Sequence, residues 1–269
     1  MTDHPESPAI TAAAVPASLQ DEVRTRLAAL AGALHAGDWP QAARVLAVSE
    51  YVSRTLGAQP ELLGELVRSG DLARAYAGDE LHARLRAQTE TCADEAALKS
   101  VLRRVRAREM VRIAWRDIAG LASLGETLTA LTALAEAALQ AALNKLMEWA
   151  LARDGTSRAE GSEQPAQFVV LGMGKLGGAE LNFSSDIDLI FAYSDDGTTD
   201  KRGLSNHEFF VRLGQKLINA LHEPTSDGFV FRVDMRLRPN GASGPLAISF
   251  DAMEQYYQAH FRTLELYSL

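Results

Sequence analysis

The chain has 269 residues, 47% of them hydrophobic and 23% charged, with a formal net charge of -8. That length admits one or two domains with a sizeable core, and the composition excludes a disordered chain. The acidic balance argues against a broad nucleic-acid-binding face, which needs clustered Lys and Arg to neutralise phosphates.

Residues 1–19 are Ala/Pro-rich, include Asp3 and Glu6, and lack the basic start and apolar stretch of a secretory signal. They read as a flexible tail. No apolar run approaches the roughly 20 residues that span a bilayer. The single cysteine, Cys92, excludes an intrachain disulfide framework and suits a reducing cytosol. A cytoplasmic protein without a membrane partner is expected.

Residues 20–154 are rich in Ala, Leu, Arg and Glu, and their spacing predicts helices. Over 20–35, Val23, Leu27, Leu30 and Leu34 form one stripe. Pro40 can open the next helix, because its missing N–H costs nothing in a first turn. Further helices are predicted over 60–68, 79–86, 94–106 and 125–153, the last loaded with Leu128, Leu131, Leu134, Leu139, Leu143 and Leu146. No fixed repeat period points to a solenoid.

Residues 155–167 are polar, contain Gly, Ser and Pro, and read as a linker. The pattern then changes. Phe168-Val169-Val170-Leu171 is an apolar run of buried-strand type. Residues 186–193 alternate acidic and apolar before a turn at Asp195-Asp196-Gly197. Ser205 and Glu208 form a capping box, the Ser bonding forward and the Glu backward, ahead of a helix with Phe209, Leu213, Leu217 and Leu221 inward. Residues 229–237 alternate again and end at Pro239-Asn240-Gly241. The fold class is α+β: a helical region, then a core over 168–260 with a mixed sheet.

Three features of that core point to chemistry. The first is the loop Gly172-Met173-Gly174-Lys175-Leu176-Gly177-Gly178 directly after a strand. Glycines let backbone approach an oxyanion, although strand-to-helix turns also carry Gly for packing alone. It is not a P-loop, since Leu176 follows Lys175 where Ser or Thr would ligate Mg²⁺. The second is Ser184-Ser185-Asp186-Ile187-Asp188. Residues two apart on a strand share a face, so the aspartates project together, and hard oxygen ligands with phosphate suit Mg²⁺. A lone D-x-D is more often a solvated edge-strand face. The third is Val233-Asp234-Met235-Arg236-Leu237-Arg238, with Val233, Met235 and Leu237 on one face. There Asp234 would complete a two-metal clamp, and Arg236 and Arg238 would hold phosphate oxygens, against the alternative of a cross-strand salt-bridge ladder. The three in this order favour the functional reading. The six histidines show no metal-pair spacing and are expected to be structural or solvated, and Cys92 has no nucleophile context.

This layout resembles the DNA-polymerase-β-like nucleotidyltransferase superfamily over residues 168–238. A closer resemblance is carried by GMGKLGGAELNFSSDIDLIFAY and FRVDMRLRPNGASGPLAISF, and in the helical half by SEYVSRTLGAQPELLGELVRSGDL and REMVRIAWRDIAGLASLGETL. These are similar to the glutamine synthetase adenylyltransferase/adenylyl-removing family, from about residue 20 to His260. The family's full-length members carry two nucleotidyltransferase domains, and this chain resembles the N-terminal, adenylyl-removing one. After Tyr256-Tyr257-Gln258-Ala259-His260 the family continues with a Gly-, Trp-, Glu- and Arg-rich segment. Residues 261–269 keep little of it, an atypical end that suggests a truncated product.

The resemblance implies phosphorolytic removal of AMP from a tyrosine of adenylylated glutamine synthetase, giving ADP. It implies Mg²⁺ on Asp186, Asp188 and Asp234, and nucleotide or phosphate contacts from Gly174, Lys175, Gly177, Gly178, Ser184, Ser185, Arg236 and Arg238. Tyrosinate is a fair leaving group, with a pKa of about 10, so no strong general acid is required. A PII-type regulatory protein is a further partner it admits. The alternatives are ATP-dependent adenylyl transfer to glutamine synthetase and a non-catalytic fragment that docks glutamine synthetase or a regulator. A nucleic-acid polymerase fits least, for want of a basic-aromatic tract.

Overall fold

A computed structural model of the chain describes residues 15–34 and 39–264. These form two compact units, one from residues up to Glu80 with Arg104–Leu131, the other from Leu81–Arg103 with residues from Thr132 onward.

In the first unit, α1 (Gln20–Leu30) buries Val23, Leu27 and Leu30. The predicted stripe continued to Leu34, but the chain tightens into a 3-10 turn at Ala31–Ala33 and Leu34 is extended. Gly32, a weak helix former, lies in that turn. Val15 is buried against the same core, so the end of the predicted tail is packed, while residues 1–14 lie outside the described residues. Pro40 sits in the first turn of α2 (Trp39–Val48), as its chemistry requires. A helix the sequence reading did not single out, α3 (Glu50–Ala58), is opened by Ser49, whose hydroxyl accepts from the Val52 N–H at 3.2 Å. Next comes α4 (Glu61–Arg68), which buries Leu62, Leu63 and Leu66.

Then come α5 (Glu80–Glu90) and two longer helices, α6 (Glu95–Ile118) and α7 (Leu124–Asp154). The two units divide inside α6 and α7 rather than at residues 155–167. The predicted end of α6 near residue 106 fell short because its arginines masked the apolar period. In the first unit those arginines are drawn inward by acids: Arg108 pairs with Asp71 at 2.6 Å, Arg112 with Glu109 at 2.6 Å and Arg116 with Glu126 at 2.8 Å. Asp71 and Glu109 are buried, and burial on this scale requires such pairing. Tyr76 donates to Glu109 and lies under the Arg112 guanidinium, 3.7 Å from ring to charge.

In the second unit the 155–167 stretch is more than a linker, because it contains β1 (Ser157–Ala159). The central elements are β2 (Phe168–Met173), the single turn α8 (Gly174–Gly177) and β3 (Ile187–Tyr193). After them come β4 (Gly197–Thr199), α9 (Asn206–His222), β5 (Val233–Asp234), β6 (Ala247–Ser249) and α10 (Phe250–Leu264). Residues 265–269 of the expected atypical end lie outside the described residues. β1 pairs antiparallel with β4, and Asn206 ties the pair down, accepting from Ser157 Oγ at 2.7 Å and donating to the Arg158 carbonyl at 2.9 Å. β3 is the middle strand of a mixed sheet: β2 runs antiparallel on one side, while β5 and β6 run parallel on the other. Hence β3 is almost wholly buried, but β2, read as a buried strand, is an edge with Leu171 exposed.

Phe209, Leu213, Leu217 and Leu221 of α9 are all buried. Phe210 stacks on Phe168 and Tyr193 of the sheet, at 5.3 and 5.2 Å between centroids. Only half of the capping box forms. Ser205 accepts from the Glu208 N–H, but the Glu208 carboxylate pairs with Arg212 instead of turning back. The C-terminal end of α9 is closed by Arg103, fully buried, which donates to the carbonyls of Ala220, Glu223 and Gly228. His222 then accepts from the Val233 N–H through Nδ1 at 2.9 Å, fixing the start of β5. No helix among the described residues is long and apolar enough to cross a membrane.

Candidate nucleotidyl-transfer site

The carboxylates named from the sequence gather at one end of the mixed sheet, although not all in regular strand. Asp186 lies one residue ahead of β3, while Asp188 is its second residue. β5 is only two residues long, and the chain turns away after Asp234, so the predicted alternation through Leu237 breaks and Leu237 is exposed. Parallel pairing sets Asp188 directly beside Asp234, and antiparallel pairing sets Met173 beside Asp188. Paired residues of neighbouring strands share a face, so both carboxylates lie on the side where β2 gives way to the glycine turn.

The glycines divide by role. Gly174 has φ +54, a backbone that disfavours a side chain, and a Cβ there would lie 3.0 Å from Asp188 Oδ2. It faces the site. A Cβ on Gly177 would come within 2.6 Å of the Gly172 carbonyl, so Gly177 lets the turn fold back on its own strand. Gly178 is exposed, and its added Cβ would meet only ordinary contact. Lys175 is exposed at the same turn.

Two arginines occupy two of the three carboxylates. Arg232 bonds Asp186 and also donates to the Ser184 carbonyl at 2.8 Å. Arg236 binds Asp234 through its side chain at 2.7 Å and its backbone N–H at 2.8 Å. The Asp234 carboxyl is accordingly held below the ordinary aspartate range, first by the Arg236 hydrogen bond. Asp188 moves the other way: burial raises it first, then the charges of Asp234 and Asp186, with Arg236 opposing. Ser185 Oγ donates to Asn182, and Ser184 is exposed.

Arg238 departs from its expected place among the phosphate ligands. Its guanidinium donates to the carbonyls of Met235, Ala242 and Gly244, closing the loop after β5. Sequence reasoning missed Arg232. The signal was available, since Arg232 stands two residues before Asp234 in an alternating run and so falls on the same face.

The donor set suits a hard divalent cation: oxygen ligands only, with Asp188 destabilised in its charged form by its two acidic neighbours. Among the described residues, however, no three acidic, His or Cys side chains already converge as a metal cage. The backbone gathers the carboxylates, but Asp186 and Asp234 are turned to arginines.

A glycine turn, an acid pair flanking the first residue of a strand and a parallel neighbour bearing a third acid mark a nucleotidyltransferase. A family model described as glutamate-ammonia ligase adenylyltransferase matches residues 39–269, and the chain belongs to that family. It is 52% identical over 234 residues to the bifunctional glutamine synthetase adenylyltransferase/adenylyl-removing enzyme of Thioalkalivibrio sulfidiphilus (strain HL-EbGR7), covering 86% of this chain and 24% of that protein. It is 50% identical over 228 residues to the protein of that name from Pseudomonas aeruginosa, with 84% and 23% covered. The corresponding protein of Shewanella woodyi is 45% identical over 231 residues, with 84% and 24% covered. The chain spans about a quarter of the length of these curated relatives.

Proposed function

We propose that this site removes AMP from the adenylylated tyrosine of glutamine synthetase by phosphorolysis, releasing ADP. An oxygen of inorganic phosphate attacks the α-phosphorus, the bond from phosphorus to the tyrosyl oxygen breaks, and the tyrosinate leaves to take a proton from water. The observation that supports this most is the parallel register of Asp188 with Asp234 beside the Gly174 turn. Support for removal rather than addition comes from the segment ELNFSSDIDLIF and the helical region ahead of it, which resemble the family's adenylyl-removing half. The relatives' printed names carry both activities.

Asp186, Asp188 and Asp234 would hold Mg²⁺, which when bound neutralises charge on the attacking and leaving oxygens. Lys175 supplies a positive charge to the incoming phosphate from the exposed turn, and Gly174 leaves room beside Asp188. Arg236, tethered by Asp234, presents its exposed guanidinium to phosphate oxygens. Catalysis is then mainly positioning and charge neutralisation. A PII-type protein as regulator and the cytoplasm as compartment belong to the same reading.

The test incubates the chain with glutamine synthetase carrying labelled AMP, together with phosphate and Mg²⁺. Labelled ADP is expected, and Asp186→Asn or Asp234→Asn should suppress it by about a hundredfold or more. Labelling of unmodified glutamine synthetase from ATP would instead favour transfer in the other direction. Stable docking without turnover would favour the non-catalytic reading.

A further inference from the structure

Arg232 holds two partners at once, the Asp186 carboxylate and the Ser184 carbonyl, while its own carbonyl accepts from the Ile187 N–H at 2.9 Å. The backbone bond anchors the residue beside the site whatever its side chain does. The ion pair itself is exposed, with side-chain accessibilities of 54% for Arg232 and 45% for Asp186. An exposed pair of this kind contributes little to stability and is broken at small cost. Of the three carboxylates, Asp186 and Asp234 are each ion-paired with an arginine, Arg232 and Arg236, whereas Asp188 forms no ion pair among the described residues and has Lys175 on the neighbouring turn.

From this geometry we infer that Arg232 is an exchangeable counter-ion: it neutralises Asp186 until a divalent cation takes that carboxylate, and its freed guanidinium then binds an anionic phosphate oxygen of the nucleotide. The inference rests on the metal role proposed above for Asp186. A guanidinium competes directly with a cation for a carboxylate, and its planar fork suits phosphate as well as it suits Asp186. Arg232 is thereby a specificity-determining residue whose two jobs oppose each other. Its removal should strengthen metal binding and weaken nucleotide binding. A residue that merely braced the loop would weaken both.

The experiment measures Mn²⁺ binding by electron paramagnetic resonance, and ADP binding by calorimetry in Mg²⁺, on the full chain. Arg232→Gln is expected to tighten Mn²⁺ by about two- to fivefold, the strength of an exposed ion pair. It should weaken ADP by about tenfold, the loss of a charge-assisted hydrogen bond. Arg232→Lys, which keeps the charge and guards against misfolding of the first variant, should leave Mn²⁺ within about twofold and weaken ADP less. Unchanged or weaker Mn²⁺ binding in Arg232→Gln, or unchanged ADP binding, would overturn the inference. Asp186→Asn is measured in parallel. If it binds Mn²⁺ like the unmodified chain, the proposed metal role itself fails; if it loses Mn²⁺ while Arg232→Gln gains none, only the exchange fails.

Discussion

Asp188 and Asp234 are partners across the parallel pair of β3 and β5, yet their carboxyls are driven in opposite directions from the ordinary aspartate value. Asp234 is held down by Arg236, while Asp188 is pushed up by burial and by its two acidic neighbours. Two carboxylates in one register therefore differ in what they can accept. Asp234 is already neutralised, and Asp188 is the group that gains most from a cation.

Asp188→Asn should therefore raise the melting temperature of the cation-free protein at pH 7 while removing activity. The folded carboxyl lies above its ordinary value of 3.8, so its favourable contribution is present below that value and lost as pH rises through the folded value. The advantage of the Asn variant should accordingly grow as pH rises above the ordinary aspartate value and level off once Asp188 is ionised in the folded chain. Added Mg²⁺ should stabilise the unmodified chain and leave the variant unmoved. Thermal denaturation across pH, with and without Mg²⁺, checks both.

Substitutions at two glycines of the turn should separate. Gly177→Ala forces a methyl to within 2.6 Å of a backbone carbonyl and should cost about 1–3 kcal/mol of stability. Gly174→Ala meets a flexible carboxylate at 3.0 Å on a left-handed backbone, costing about 1 kcal/mol. It displaces Asp188, so its loss of activity should exceed its loss of stability. Urea denaturation beside turnover distinguishes the two; equal ratios in both variants would contradict the division of roles.

Lys175 and Arg238 were paired by the sequence as phosphate contacts and should part company in experiment. Lys175→Ala should raise the phosphate concentration for half-maximal ADP release by about tenfold with little change in melting temperature. Arg238→Ala removes the side-chain donor from three carbonyls, of which Met235 keeps the residue 238 backbone N–H, and should lower stability by about 1–3 kcal/mol.

Arg103 is remote in sequence from β5 but secures its approach. Arg103→Met takes the buried donor from the carbonyls of Ala220, Glu223 and Gly228, the last of which keeps the Thr225 N–H and hydroxyl, at a cost of about 2–4 kcal/mol. Looser packing there should speed amide exchange at Val233, whose N–H is held by His222. An unchanged exchange rate at Val233 would disconnect this cap from the site.

Much of this architecture is legible because helix and strand periods are local. Leu213, Leu217 and Leu221 on one helical stripe, and buried Leu189 and Phe191 on β3, follow from spacings of 3.6 and 2 that any window of the sequence contains. The site's acids were legible for the same reason, with Asp188 two residues from Asp186 and Asp234 in its own alternating run. α6 was underestimated because Arg108, Arg112 and Arg116 looked solvated until acids from elsewhere turned them inward.

By itself the sequence determined the α+β class, the helical stripes and the identity of the three acids, since each is written in neighbouring residues. Only the tertiary structure decided which cation each acid holds. Arg232 reaches Asp186 across 46 positions, whereas Arg238, two residues from Arg236, turns away to three carbonyls. Register, the early end of β5 and the turn that follows set those distances, and such pairings across the chain leave no periodic mark on the sequence.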